Sequence, residues 1–234
     1  IYHVHQWLKK TLANQFSEEF DKIYLGLWQP NKEYRYHSDD IARRRLQNVC
    51  IQYLCLLEHH MESVERQYFQ ASNMTDKLAA LTALSHTDSD YREDCLKDFY
   101  KQWSDDSLVL DKWFTLQAAS HHRHALEHVK SLVQHQDFLY TNPNRVRSVL
   151  GVFGRLNLLG FHRENGEGYE FMADQVLKLD QINPQVAARI VAPFTHWRRF
   201  DEVRQTKMKF ALERILKTDS LSKDVYEIVS KSLL

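Results

Sequence analysis

The chain has 234 residues, 43% hydrophobic and 12% aromatic, with 31 basic and 31 acidic side chains and a pI near 7.4. That length and apolar content suit one large or two small domains with a substantial core. A net charge of zero lacks the basic surface that nucleic acid or acidic membrane would want, and no apolar run approaches the roughly 20 residues of a membrane span, so neither partner is expected.

The three cysteines, Cys50, Cys55 and Cys95, form no ladder of pairs. All sit on apolar stripes, which reads as buried, reduced thiols in a cytoplasmic protein. No signal peptide is visible, and the chain opens on Ile1, as a processed chain or a piece of a longer one would. Punctuation is sparse: six Gly and four Pro, with no Gly between Leu27 and Leu150 and no Pro between Asn31 and Asn142. Strands and hairpins need such residues at their turns, so the expected fold class is all-α.

In chain order, Val4, Leu8, Leu12 and Phe16, then Phe20, Ile23, Tyr24 and Leu27, give helical spacing with a break near Ser17. A polar loop around Pro30 follows. Ser38 is expected to cap a helix whose buried stripe is Ala42, Leu46, Val49, Cys50, Tyr53, Leu54 and Leu57. A helix through Val64 and Tyr68 comes next. Asn73-Met-Thr75-Asp76 signals another start, and Asp88 or Ser89 caps a helix with Tyr91, Cys95, Phe99 and Trp103. Asp106 leads to Leu110, Trp113, Phe114 and Leu116, and residues 121–135 turn Leu126, Val129 and Val133 inward.

Two openings stand out from this helical monotony. Asn142-Pro143 and Asn183-Pro184 each pair a capping Asn with a Pro suited to the first helical turn, and each helix that follows carries an Arg, Arg147 and Arg189. Between them lie a glycine-bearing loop, Gly160 to Gly168, read as a flexible turn at Gly166–Gly168, and a helix through Phe171, Val176 and Leu179. A long helix near 201–217 and a last one capped at Ser220 or Ser222 finish the chain. The strong starts, Ser38, Thr75, Asp106, Asn142, Asn183 and Ser220, recur at intervals of 31 to 41 residues. Each interval holds two helices, the spacing of stacked helical hairpins, although no residue consensus repeats. The competing arrangement is a multi-helix bundle.

Little catalytic chemistry is legible. His124, Glu127 and His128 match H-x-x-E-H, and positions i and i+4 of a helix can share a zinc. The surroundings are His, Arg, Ser and Lys, and thirteen histidines make accidental matches easy, so the string reads as a wet helix face with at most adventitious metal. His59-His60 and His3-x-His5 read the same way. No glycine-rich phosphate cradle follows a strand. In the first Asn-Pro helix, Val146, Val149, Leu150, Phe153 and Leu156 form the expected buried stripe, while Arg147, Gly151 and Gly154 share an adjoining one. Each internal glycine costs about 0.5–1 kcal/mol against Ala, so something approaches the backbone there: a tightly packed helix, or a cavity wall that Arg147 reaches. In the second, Val186 and Ile190 point inward, and Arg189 lies off that face as a solvated residue or an anion-binding fork.

Several strings follow one another in order: Asp40-Ile-Ala-Arg-Arg, Ala71-x-Asn73-Met-Thr-Asp76-x-Leu-Ala-Ala-Leu, Asp111-Lys-Trp-Phe114, Asn142-Pro-Asn-Arg-Val-Arg-Ser and Phe161-His162. Gly166-x-Gly168-Tyr169-x-Phe171, Asn183-Pro-Gln-Val-Ala-x-Arg189, Arg199-Phe-Asp201 and Arg204-Gln-x-Lys-Met208 continue the series. Together, from about residue 20 to the end, they resemble the C-terminal domain of the bacterial aminopeptidase N (alanyl aminopeptidase) zinc enzymes. The helical spacing of 1–28 reads as a lead-in pair, and the resemblance implies one all-α domain over 1–234, a right-handed superhelix of paired antiparallel helices of HEAT/armadillo-like irregular repeat. It implies a parent enzyme that removes N-terminal residues from peptides, with zinc on an H-E-x-x-H motif and a Gly-x-Met-Glu-Asn motif in a separate catalytic domain. Neither motif occurs here, so this chain is expected to hold no metal and no catalytic residue. The expected partners are that catalytic domain, over which this domain closes, and short peptides at the wall of the enclosed chamber, where Arg147 and Arg189 would bind substrate. The alternatives are a free-standing helical-repeat scaffold that binds a protein, and an independent zinc peptidase built on His124 and His128.

Overall fold

In the computed structural model of the protein, residues 2–234 are described, and Ile1 lies outside them. Every regular element among the described residues is helical, as the scarcity of Gly and Pro predicts. The chain forms two compact units, Ile1–Ser104 and Asp105–Leu234.

The first unit holds α1 (Tyr2–Gln15), α2 (Ser17–Leu27), α3 (Ser38–Leu54), α4 (Met61–Gln70), α5 (Met74–Ser85) and α6 (Asp90–Trp103). The expected break falls at Phe16, between α1 and α2. Neighbours in sequence pack together, α2 on α3 and α4 on α5, with α3 also against α5. Two starts differ in detail from the sequence reading. His37, not Ser38, caps α3, its Nδ1 accepting from the Asp39 N–H at 3.4 Å. Asn73, two residues before Thr75, caps α5, its side-chain oxygen accepting from the Asp76 N–H at 3.0 Å.

The inner face of α3 corrects the sequence reading more deeply. Leu46 and Val49, expected in the core, are exposed, whereas Asp40, Arg44, Gln47 and Asn48 are buried beside Cys50, Ile51 and Leu54. The buried polar groups are tolerable because each is matched. Asn48 Nδ2 donates to Asp76 Oδ1 at 2.8 Å, and Gln67 Nε2 donates to Asn48 Oδ1 at 2.9 Å and to the Asp76 carbonyl at 3.0 Å. Asp40 accepts from Lys32 and Arg35, and the hydrogen bond from Lys32 above all holds its carboxyl below the usual carboxylate range. The three cysteines are buried and free, and burial pushes Cys55 and Cys95 up to about 12, consistent with packing rather than nucleophilic chemistry.

The second unit holds α7 (Ser107–Ala118), α8 (Ala125–Leu132), α9 (Pro143–Val146), α10 (Val152–Leu156), α11 (Leu158–Phe161), α12 (Glu167–Asp180), α13 (Pro184–Ile190), α14 (Glu202–Leu216) and α15 (Lys223–Leu233). Asp106 caps α7, and Ser222 caps α15; Ser220 instead adopts φ +62° in the turn before it. The α12 helix packs on α13 and α14, and α14 on α15. An aromatic cluster fills the centre, with Phe161 edge-on to Phe153, Tyr169 and Phe194 at centroid distances of 5.2–5.9 Å.

The Gly166–Gly168 segment is not simply a flexible turn. Gly166 takes φ +86°, a left-handed position before α12. Gly168 already lies inside α12, against the Gly160 and Phe161 carbonyls, where a Cβ would come within 2.4 Å of both oxygens.

Candidate functional site

The two Asn-Pro openings form as their chemistry predicts. Asn142 Oδ1 accepts from the N–H groups of Asn144 and Arg145, at 3.0 and 3.3 Å, and Asn183 Oδ1 from that of Val186 at 3.2 Å. Each Pro occupies the first helical turn, where its missing N–H is no loss. Val146, Val149, Leu150 and Phe153 are buried as expected, but Leu156 is 55% exposed.

The reason lies between α9 and α10, where residues Arg147–Gly151 form a π turn and the Val152 N–H bonds the Arg147 carbonyl five residues back. Residues eight apart on an uninterrupted α-helix are offset by about 80° around the axis. One extra residue in a π turn removes about 100° of that advance and leaves an offset near 20°. Arg147 and Arg155 thereby come nearly into line along one face. That geometry is invisible to a 3.6-residue count, and it turns Leu156 outward.

A cavity of about 490 Å³ opens on this face, within the usual range of about 300–1,000 Å³ for small-ligand pockets. Its walls carry Arg147, Arg155 and, from α13, Arg189. Gly151, Val152, Leu156 and Ile190 supply the apolar lining. The two arginines singled out from sequence therefore meet at one cavity, and a third that sequence reasoning missed joins them. No acidic residue lines it. The Arg147 guanidinium is held from behind, Nε donating to the Pro143 carbonyl at 2.9 Å and Nη2 to Asn144 Oδ1 at 2.8 Å.

The two glycines of this helix have different causes. Gly154 is a packing residue, since a Cβ there would lie 2.9 Å from Pro193 Cγ and 3.2 Å from Met172 Cε. Gly151 lines the cavity, and a Cβ would make only ordinary contacts, 3.6 Å to Ile190 Cδ1 and 3.7 Å to Arg147 Cβ.

Neighbouring motif residues support the site rather than face it. Arg145 is buried; its Nε donates to Asp111 Oδ1 at 2.6 Å and its Nη1 to the Asp137 carbonyl at 2.8 Å, with the guanidinium 4.7 Å from the Phe114 ring centre. Two strings far apart in sequence, Asp111-Lys-Trp-Phe114 and Asn142-Pro-Asn-Arg145, thus lock each other. His162 is half-buried, with Nδ1 2.8 Å from Tyr169 Oη and the ring stacked 4.2 Å from Phe200. Burial, reinforced by Arg204, pushes its pKa down to about 4.

The H-x-x-E-H string does not assemble a zinc site. His124 is the N-cap residue of α8, outside the regular helix (φ −102°, ψ 30°). Both Glu127 oxygens are taken by the Arg163 fork at 2.6 and 2.7 Å, and His128 Nε2 lies 2.9 Å from Gln117 Oε1. Among the described residues no three His, Cys, Asp or Glu side chains are grouped to hold a metal ion, and no helix is long and apolar enough to cross a membrane.

The family model described as "Domain of unknown function (DUF3458_C) ARM repeats" matches residues 1–234. Aminopeptidase N of Escherichia coli strain K12 is 40% identical over 235 residues, covering 100% of this chain and 27% of that protein. Aminopeptidase N of Haemophilus influenzae is 39% identical over 227 residues, covering 97% and 26%. Among solved structures, Legionella pneumophila aminopeptidase A in complex with aspartic acid superposes with a TM-score of 0.87 at 32% identity, over 98% of this chain and 28% of that one. The chain thus spans about a quarter of the length of the relatives it matches. It belongs to the DUF3458_C family of ARM-repeat domains, the helical C-terminal domain of aminopeptidase N-type proteins.

Proposed function

We propose that this chain is the non-catalytic C-terminal domain of a cytoplasmic zinc aminopeptidase, in which it closes over the catalytic domain, shapes the peptide chamber and restricts entry to short peptides. Zinc and the bond-making groups would reside in that other domain of the same polypeptide, and nothing in this chain would bear on the zinc. Arg147 and Arg189 would meet the C-terminal carboxylate of a short peptide whose N-terminus is held at the distant metal. A guanidinium fork suits a carboxylate in geometry as well as charge.

The observation that carries this reading is the convergence of Arg147 and Arg189, from two separately capped helices, on one cavity without an acid in its wall. A row of exposed apolar side chains supports the docking role. Val4, Trp7 and Leu8 fall on one face of α1, and Leu46 and Val49 are exposed on α3, as surface awaiting cover would be. The test is the double replacement Arg147→Ala, Arg189→Ala in the full-length protein. KM for short peptides should rise more than kcat falls, because the contacts hold substrate and do not act on the scissile bond. An unchanged KM refutes the role.

A further inference from the structure

The third arginine adds a function beyond terminal-carboxylate binding. We propose that Arg155 makes this cavity selective for peptides whose C-terminal residue is itself acidic, Arg147 and Arg189 taking the terminal carboxylate and Arg155 the side-chain carboxylate of Asp or Glu. This rests on the peptide-binding reading above and narrows it to a substrate class.

Four observations carry it. Three guanidinium groups line one cavity in a chain whose basic and acidic residues are equal in number, 31 of each. None of the wall residues is an acid, so the cations have no counter-charge within the cavity. Among the described residues, no ion pair or side-chain hydrogen bond engages Arg155 or Arg189, while Arg147 is fixed by backbone and Asn144 contacts behind it. Finally, the π turn reduces the offset between Arg147 and Arg155 from about 80° to about 20°, which brings the two guanidinium stems nearly into line along the cavity. A π turn gives up regular hydrogen bonding, and such turns recur at functional sites.

The chemistry of the pocket favours an acidic amino-acid side chain over a free inorganic anion. Val152, Leu156 and Ile190 offer an apolar surface among the arginines. A Glu or Asp side chain presents methylenes to such a surface and a carboxylate to a guanidinium. Phosphate presents no apolar part, and a neutral C-terminal residue leaves Arg155 without a partner.

The test uses the full-length protein with Ala-Ala-Glu and Ala-Ala-Gln, which differ only in that side-chain charge. The wild type should show a KM about tenfold lower for the Glu peptide, as one charge-assisted hydrogen bond would give. Arg155→Gln should bring the ratio of the two KM values to about one, and Arg155→Lys should leave it between. N-acetyl-Ala-Glu and N-acetyl-Ala-Gln, which have no free amine to be processed, should show the same ratio in calorimetric titration, so binding is read without turnover. An unchanged melting temperature in Arg155→Gln, expected for an exposed side chain, excludes misfolding. A wild type without Glu preference, a preference that survives Arg155→Gln, or an equal rise in KM for both peptides overturns the proposal. The underlying reading fails separately: there, Arg147→Ala with Arg189→Ala leaves KM for the Gln peptide unchanged, while the Arg155 ratio is still measured.

Discussion

Replacing Gly168 by Ala puts the close approach of α11 and α12 to the test. The new Cβ would stand 2.4 Å from the carbonyl oxygens of Gly160 and Phe161 and 2.8 Å from the Phe161 carbonyl carbon. All three are backbone atoms, so relief requires one helix to move away from the other and the aromatic cluster around Phe161 to loosen. Forced overpacking of this kind costs about 3 kcal/mol. The better helix propensity of Ala returns at most about 1 kcal/mol. The net loss of about 2 kcal/mol corresponds to a melting temperature lower by about 4–8 °C for a chain of this size. Gly151→Ala is the internal contrast. Its Cβ makes ordinary contacts at 3.6 and 3.7 Å, so only the propensity gain of about 0.5–1 kcal/mol remains, and the melting temperature should rise by about 1–4 °C. Thermal unfolding followed by far-ultraviolet circular dichroism, on both variants of the 234-residue chain, reads the two signs directly. A Gly168→Ala variant as stable as the parent would refute the backbone-clash reasoning.

Two further outcomes follow from the buried charges. Asp111→Ala strands the buried Arg145 guanidinium with only the Asp137 carbonyl and the Phe114 ring, and urea unfolding should show a loss of about 3–5 kcal/mol, larger than for Asp111→Asn. The folded-state pKa of His162 is about 4 and its unfolded value is near 6.5, so below 6.5 the unfolded chain binds the extra proton and stability falls as pH drops toward 4. Discounted for partial exposure, that loss is about 2 kcal/mol, and it should be absent in His162→Gln when urea midpoints are compared at pH 7 and pH 4.5.

Capping signals in the sequence translated well because they are local: Asn142, Asn183 and Asp106 each bond an N–H two or three residues on, as their positions predict. The α3 face departs from its hydrophobic stripe because such a stripe marks only what wants to leave water, not which neighbour covers it. Leu46 and Val49 are exposed in this chain, while Asn48 turns inward to Asp76 and Gln67, 28 and 19 residues away. No periodicity foretells such distant partners. Gly168 looked like a turn residue because its real constraint, two carbonyls from α11, is tertiary. At the site, Arg147 and Arg189 were visible through their flanking Asn-Pro starts. Arg155 was not, since no Asn-Pro start flanks it and an eight-residue spacing sets it about 80° round from Arg147, at the edge of that stripe, until the π turn brings it nearly into line. The clue that was available is the glycine in that turn, Gly151, whose cost in a helix has no packing cause.

In the proposed role this domain holds the carboxyl end of a peptide whose cleavage is performed elsewhere. The most direct measurement compares KM for Ala-Ala-Ala with KM for its C-terminal amide, in the full-length protein and in its Arg147→Ala, Arg189→Ala variant. The free acid should be favoured about tenfold in the parent protein, with a ratio near one in the variant and a kcat that changes by less than about twofold. A preference for the free acid that survives the double replacement, or a collapse of kcat at constant KM, would contradict that role.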